Sequence, residues 1–197
     1  MIAPLVGLFS ALVPGHTDAA PVTVDETVTF TTSPENEIVR PPNRIYTITA
    51  AELGSFDATS SDKLIVAFSS ENAGTVQGIT YGGVAMTEAI FTSYSTGTQF
   101  TGIFYLDHPA GNGDLVFDFT GGNGVGGSLM AVSGTAAGFG ATNSGDGQTI
   151  SLTTTAGNSL VVASHANNGD GAIAQSPPTG PTMTSTGLAS PAGRTIW

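Results

Sequence analysis

The residues able to do chemistry are 15 Asp and Glu, three histidines and a supply of serines, with no cysteine. A metal site needs ligands that converge, and His16, His108 and His165 are far apart, with no helical H-E-x-x-H spacing. His108 sits beside Asp107 at the end of a predicted strand, and His165 alternates with Val161 and Ala163, so both read as strand or turn residues. A serine nucleophile needs a base and an orienting acid. Ser128 lies in Gly127-Ser128-Leu129, which lacks the G-x-S-x-G elbow. Asp114 and Asp118 are placed on one face of a predicted strand, four residues apart. A glycosidase pair also needs a cleft and an aromatic platform. The single Trp is terminal, and Tyr81, Tyr94 and Tyr105 read as core or sheet residues, so these carboxylates read as solvated.

Three loops are rich in Asn, Asp and Gly: 111–114, 143–147 and 167–171. Oxygen-rich loops can hold Ca²⁺, but none has the EF-hand pattern, and Asx-Gly pairs are ordinary turn formers. The glycine-rich run 121–127 lacks the Lys-Ser/Thr of a phosphate cradle and a helix start behind it, and reads as a flexible loop entering the strand SLMAVSG. The expectation is therefore no enzyme activity, no cofactor and no metal.

Charge narrows the partners. The formal net charge is −11, and the only Lys and Arg are Arg40, Arg44, Lys63 and Arg194. No face can be basic enough to track phosphates, so nucleic acid is excluded, and adsorption to an anionic membrane is disfavoured. Without cysteine there is no disulfide framework and no thiolate site. Sheet edges are commonly protected by charge, especially Lys. A β protein with one lysine is expected to hide its edges against something else.

The elements that must position these residues are strands. KLIVAFSS puts Leu64, Val66 and Phe68 on one face, and DLVFDFT does the same for Leu115, Phe117 and Phe119. TVQGITY joins VAMTEAIF through Gly82-Gly83, a two-residue link that fits a type I′ hairpin. QFTGIFYLD and DLVFDFT flank residues 108–113, expected as a second hairpin loop, and GGSLMAVSG, QTISLTTT and NSLVVASHAN complete the series. No stretch from 51 to 197 carries a 3.6-residue apolar stripe. Short strands with glycine-rich turns predict an all-β fold, a sandwich or barrel.

Within 61–165 the stretches SDKLIVAFS, ITYGGVAMT, IFYLDHPAGNGDLVFDF, GGSLMAVSGT and LTTTAGNSLVVASHANN resemble a glycine-rich β-sandwich module of bacteriophage structural proteins and bacterial secreted proteins. ITYGGVAMT is the most specific of them. The resemblance implies a two-sheet antiparallel β-sandwich, jelly-roll-like or immunoglobulin-like, and no catalytic activity. EIVRPPNRIYTITAAE resembles, more weakly, the extended lead-in segments of some phage virion proteins. In the module a stretch like GRTIW begins a strand that runs on.

The N-terminal run MIAPLVGLFSALVPG is apolar and uncharged. It has no Lys or Arg before the apolar stretch, unlike a secretory signal, and Pro4 and Pro14 interrupt it too early for a membrane span. Pro21, Pro34, Pro41 and Pro42 punctuate the chain from there to Asn43, and VTVDETVTF alternates Val22, Val24, Val28 and Phe30. Residues 1–50 are expected as an extended apolar arm with one or two strands, and 51–197 as the sandwich. An ordered apolar arm must be buried, on its own domain or on a neighbouring subunit, and the extended course favours the neighbour. The expected partner-binding residues are Ile2, Leu5, Val6, Leu8, Phe9, Leu12 and Val13. The function expected is a non-enzymatic virion structural protein, a bacteriophage capsid decoration or head-fibre subunit that contacts other virion subunits or its own copies. The alternative is a secreted adhesion or carbohydrate-binding module, or a bacterial surface-filament subunit, located outside the cell.

Overall fold

The computed structural model describes residues 5–13, 21–32, 36–71, 74–93, 99–122, 124–145, 152–153, 159–167, 188–189 and 195–196, and for 5–13 the backbone course. In chain order the strands are β1 (Leu5–Val13), β2 (Thr23–Thr31), β3 (Glu37–Arg40), β4 (Asn43–Ile48), β5 (Lys63–Glu71), β6 (Thr75–Tyr81), β7 (Val84–Ala85), β8 (Thr87–Ser93), β9 (Gln99–Asp107), β10 (Leu115–Thr120), β11 (Val125–Ser133), β12 (Thr142–Gly145), β13 (Leu160–Asn167), β14 (Leu188–Ala189) and β15 (Thr195–Ile196). A front sheet runs β3-β4-β10-β6-β7 and a central sheet runs β2-β11-β5-β9-β8. A back sheet runs β12-β1-β13, and β14 pairs with β15. The front and central sheets are antiparallel and pack face to face, which is the expected all-β sandwich.

Period-2 alternation accounts for the sandwich core. Leu64, Val66 and Phe68 of β5 meet Leu115, Phe117 and Phe119 of β10, together with Tyr46, Ile79, Tyr81, Phe100, Phe104 and Leu129. Phe68 is central: its ring centroid lies 5.2 Å from that of Phe117, 5.7 Å from Phe119, 6.0 Å from Phe104 and 6.3 Å from Phe100. Such offset and edge-on pairs add to the burial of their area.

The residues between these on β5 and β9 are also buried. Ile65, Ala67 and Ile103 join Val132 and the Val162 side chain of β13 in a second apolar cluster, with Leu160, Met130 and Ile90 against it. The central sheet is thus covered on both faces, by the front sheet and by the back sheet. That explains why KLIVAF reads as an unbroken apolar run instead of an alternating one.

The connection from β4 to β5 closes one end of the sandwich. Thr49 and Glu52 form a reciprocal capping box: the Thr49 N–H and hydroxyl each donate to Glu52 Oε2 at 2.7 Å, and the Glu52 N–H points back at Thr49 Oγ1, 3.3 Å away. The turn so fixed aims Leu53, Phe56 and Ala58 into the core. Asp57 then accepts the Thr59 N–H at 2.8 Å in an Asx turn.

The structure corrects several expectations. The Gly82-Gly83 hairpin is present, with φ of 56° and 79° and Tyr81 opposite Val84. VAMTEAIF, however, is two strands: β7 stays in the front sheet, and after Met86, whose N–H bonds the Ile79 carbonyl at 2.8 Å, the chain crosses to the central sheet as β8. Residues 108–113 are not a hairpin loop either, because β9 and β10 lie in different sheets. In β2, Val28 and Phe30 face the core, but Asp25 is an extra residue opposite the Ala131–Val132 step. That bulge turns Val24 to the other face, where it is 46% exposed. Gly126 and Gly127 belong to β11 instead of a flexible loop. A Cβ on Gly127 would stand 2.3 Å from the Ala67 carbonyl oxygen, so only glycine fits there. Residues 23–48 supply strands to both sheets, so the sandwich begins well before residue 51. Most of QTISLTTT lies outside the described residues.

Two outcomes are expected from this packing. Phe68→Ala should lower the unfolding free energy by about 3–5 kcal/mol, read from the denaturant midpoint, because the ring fills the centre of the core. The carboxyls of Glu52 and Asp57 are both held below their ordinary values, by the Asn36 amide first for Glu52 and by the Thr59 hydroxyl first for Asp57. Groups lowered on folding stabilise above their unfolded values of 4.5 and 3.8 and lose that contribution as pH falls through the folded ones. Between about pH 5 and about pH 3 the wild-type midpoint should therefore fall, and the gap between wild type and Glu52→Gln should shrink. A gap independent of pH would refute the assignment.

Candidate functional site

The strongest polar construction lies at one end of the central sheet, where three aspartates hold strand ends together. Asp25, the bulged residue of β2, accepts hydroxyl hydrogen bonds from Thr23 at 3.1 Å and from Ser61 at 2.6 Å, and a third from Ser133. Asp62 accepts the N–H groups of Gly134 at 2.7 Å and Thr135 at 3.2 Å, and its carbonyl receives the His108 N–H at 2.7 Å. Asp107 accepts the Gly138 N–H on Oδ2 at 3.0 Å, while its Oδ1 contacts Lys63 Nζ.

Lys63 and Asp107 are opposite each other in the β5–β9 ladder and leave the same face of the sheet. The lysine side chain is fully buried, and Asp107 is 30% exposed. Nζ lies 4.8 Å from the centroid of the Tyr105 ring and 5.9 Å from that of Phe139. A buried ammonium needs such compensation from a carboxylate and ring faces. Sequence reasoning counted Lys63 only as one of four cations. The available signal was its spacing: Lys63, Ile65 and Ala67 share a face, as do Ile103, Tyr105 and Asp107.

The opposite end of the same face is also polar. Ser69, Gln99, Thr101, Ser128 and Ser164 are all buried. Thr101 Oγ1 donates to the Phe68 carbonyl at 2.7 Å and lies 2.6 Å from Ser164 Oγ on β13, which ties the back sheet to the central one. Among the described residues, Gln99 Oε1 and Nε2 and Ser128 Oγ have no hydrogen-bond partner. Ser128, considered from sequence as a nucleophile, is thus an enclosed strand residue with no hydrogen-bonded base among the described residues.

The other candidates are dispersed. His108 is an exposed turn residue with φ of 51°, and His16 is outside the described residues. His165 lies in β13 opposite Leu8. Asp114 precedes β10 and accepts the Ala50 N–H at 2.8 Å, while Asp118 accepts from Asn43 Nδ2 at 2.9 Å. Each carboxylate thus serves a different local contact of the front sheet. Among the described residues no three His, Asp or Glu side chains are grouped to hold a metal ion, and no helix is long and apolar enough to cross a membrane.

Of the expected arm residues, Ile2 is outside the described residues, while Leu5, Val6, Leu8, Phe9, Leu12 and Val13 fall in β1. β1 pairs along one edge with β12 and along the other with β13. One backbone edge of this strand is paired with β13 along nearly its whole length, and the other with β12 over Leu8–Ala11. Among the described residues, exposed large apolar side chains include Ile38 and Val39 on β3 and Val84 on β7, the two edges of the front sheet, exposed by 49%, 55% and 52%, with Val24 on β2 and Val161 on β13 also exposed.

In comparisons with known proteins, no family model matches the chain, and neither a curated protein nor a solved structure does.

The unpartnered amide gives a prediction. An enclosed, unsatisfied polar group costs about 1–3 kcal/mol. Gln99→Met keeps the length of the side chain and removes that penalty, so the denaturant midpoint should rise. A lower midpoint would mean that the amide is satisfied in solution.

Proposed function

We propose that the chain is a non-enzymatic structural subunit of a larger assembly, in particular a bacteriophage virion, where it serves as a capsid decoration or head-fibre protein. The observation that carries this reading is the contrast between the interior and the edges. The carboxylates at the end of the central sheet accept hydrogen bonds from strand ends and loops, as a scaffold requires. The front sheet meanwhile presents Ile38 and Val39 on β3, whose outer backbone edge has no strand partner among the described residues. β2, the long edge of the central sheet, carries a bulge and an aspartate, which are recognised guards against edge pairing. β3 has no bulge, and between the charged Glu37 and Arg40 at its ends it exposes Ile38 and Val39, while the chain's one lysine is buried in the interior. The resemblance of ITYGGVAMT and its flanking strands to modules of phage structural proteins supplies the virion setting.

The proposed contact surface is the β3 edge, while the backbone of the N-terminal run pairs with β13 and, over Leu8–Ala11, with β12. Deleting residues 1–20 would remove the middle strand of the back sheet, so substitution at β3 is the sharper test. Ile38→Lys with Val39→Lys should abolish incorporation into purified particles, measured by quantitative mass spectrometry. The circular dichroism spectrum and denaturant midpoint should stay those of the wild type. Undiminished incorporation would overturn the role of β3. A wild-type protein that stays monomeric, is absent from particles and binds glycans would overturn the virion reading in favour of a secreted binding module.

A further inference from the structure

We propose that Lys63 and Asp107 become joined by an amide bond, a covalent rung between β5 and β9. The two residues are direct partners in the ladder, and their side chains leave the same face, so the amine and carboxyl are brought together by the fold itself. Nζ already contacts Oδ1. The other carboxyl oxygen, Oδ2, receives the Gly138 N–H at 3.0 Å. One oxygen thus faces the nucleophile, while the other is held by a backbone donor where negative charge develops when an amine adds to a carboxyl carbon. Tyr105 and Phe139 shield the amine, and the lysine side chain has no exposure to solvent.

In water an ammonium and a carboxylate resist condensation because both ions are strongly hydrated. Here the ammonium is stripped of water while the carboxylate keeps 30% exposure, and an enclosed ion recovers only part of its desolvation cost from its partner. A neutral amide in the same place carries no charge to desolvate. The step balances without any co-reactant. One proton passes from Nζ to the carboxylate within the contact, leaving an amine and a carboxylic acid. The amine lone pair forms the Nζ–Cγ bond, the Cγ–OH bond breaks, and the hydroxyl leaves with the second amine proton as one molecule of water. The product closes the chain between residues 63 and 107 into a ring and constrains the unfolded state as a disulfide would, in a chain that has no cysteine.

The test is the intact mass of the full chain in denaturant, followed by a peptide map and amine labelling. The expected wild-type mass is lighter than the sequence mass by one water. Digestion should yield a branched peptide containing both Lys63 and Asp107, and an amine-acylating reagent should leave Lys63 unmodified even in denaturant. Asp107→Ala should restore the full mass and make Lys63 fully reactive when unfolded. A wild-type mass equal to the sequence sum, with Lys63 acylated in denaturant, would overturn the proposal. So would a loss of water mapped to an Asn-Gly or Asp-Gly pair, with the peptides carrying Lys63 and Asp107 released separately.

Discussion

Burial of the central sheet on both faces is the constraint on which the rest of the structure depends. A sheet exposed on one side can alternate apolar and polar residues, but β5 and β9 have no wet side over most of their length. Leu64, Val66 and Phe68 fill the sandwich, and Ile65 and Ala67 meet the back sheet. Tight approach follows from the same constraint. A Cβ on Gly102 would lie 3.1 Å from the Phe68 ring, and one on Gly127 would strike the β5 backbone. These glycines serve close packing inside strands, whereas Gly82 and Gly83 serve positive φ in a turn.

Polar groups obey that constraint as well. A polar side chain on the covered face must find a partner inside the protein or remain unsatisfied. Thr101 and Ser164 bond the Phe68 carbonyl and each other, while Gln99 and Ser128 have no partner among the described residues. Lys63 is enclosed with Asp107 and two aromatic rings. The chain's only lysine is thus used inside the fold, and the charges of the β3 edge are Glu37 and Arg40 at its two ends, with Ile38 and Val39 exposed between them.

Strand content was legible because each strand's neighbours along the sequence supply its own pattern. DLVFDFT reads as one buried face and is one, and the Gly-Gly link reads as a hairpin and is one. Which sheet a strand joins was not legible. VAMTEAIF carries no mark at Met86 that announces a change of sheet, and the residues between β9 and β10 resemble any other turn. The Asp25 bulge likewise leaves the alternation of VTVDETVTF looking intact, yet it reverses the direction of Val24. The N-terminal run was legible as an apolar element in need of cover. That its backbone pairs with β13 and, over Leu8–Ala11, with β12, both from far along the chain, was not.

By itself the sequence determined an all-β chain, acidic, without thiol chemistry, without a basic face and with an aromatic core. These properties follow from composition and from the two-residue period of a strand, both of which are local. Only the tertiary structure decided the sheet order, the third layer and the pairing of Lys63 with Asp107. Those depend on contacts between residues distant in the chain, and hydrogen bonding between strands is indifferent to which strand supplies the partner. What selects the partner is the fit of side chains on both faces of the central sheet, and that fit exists only once the sheets have come together.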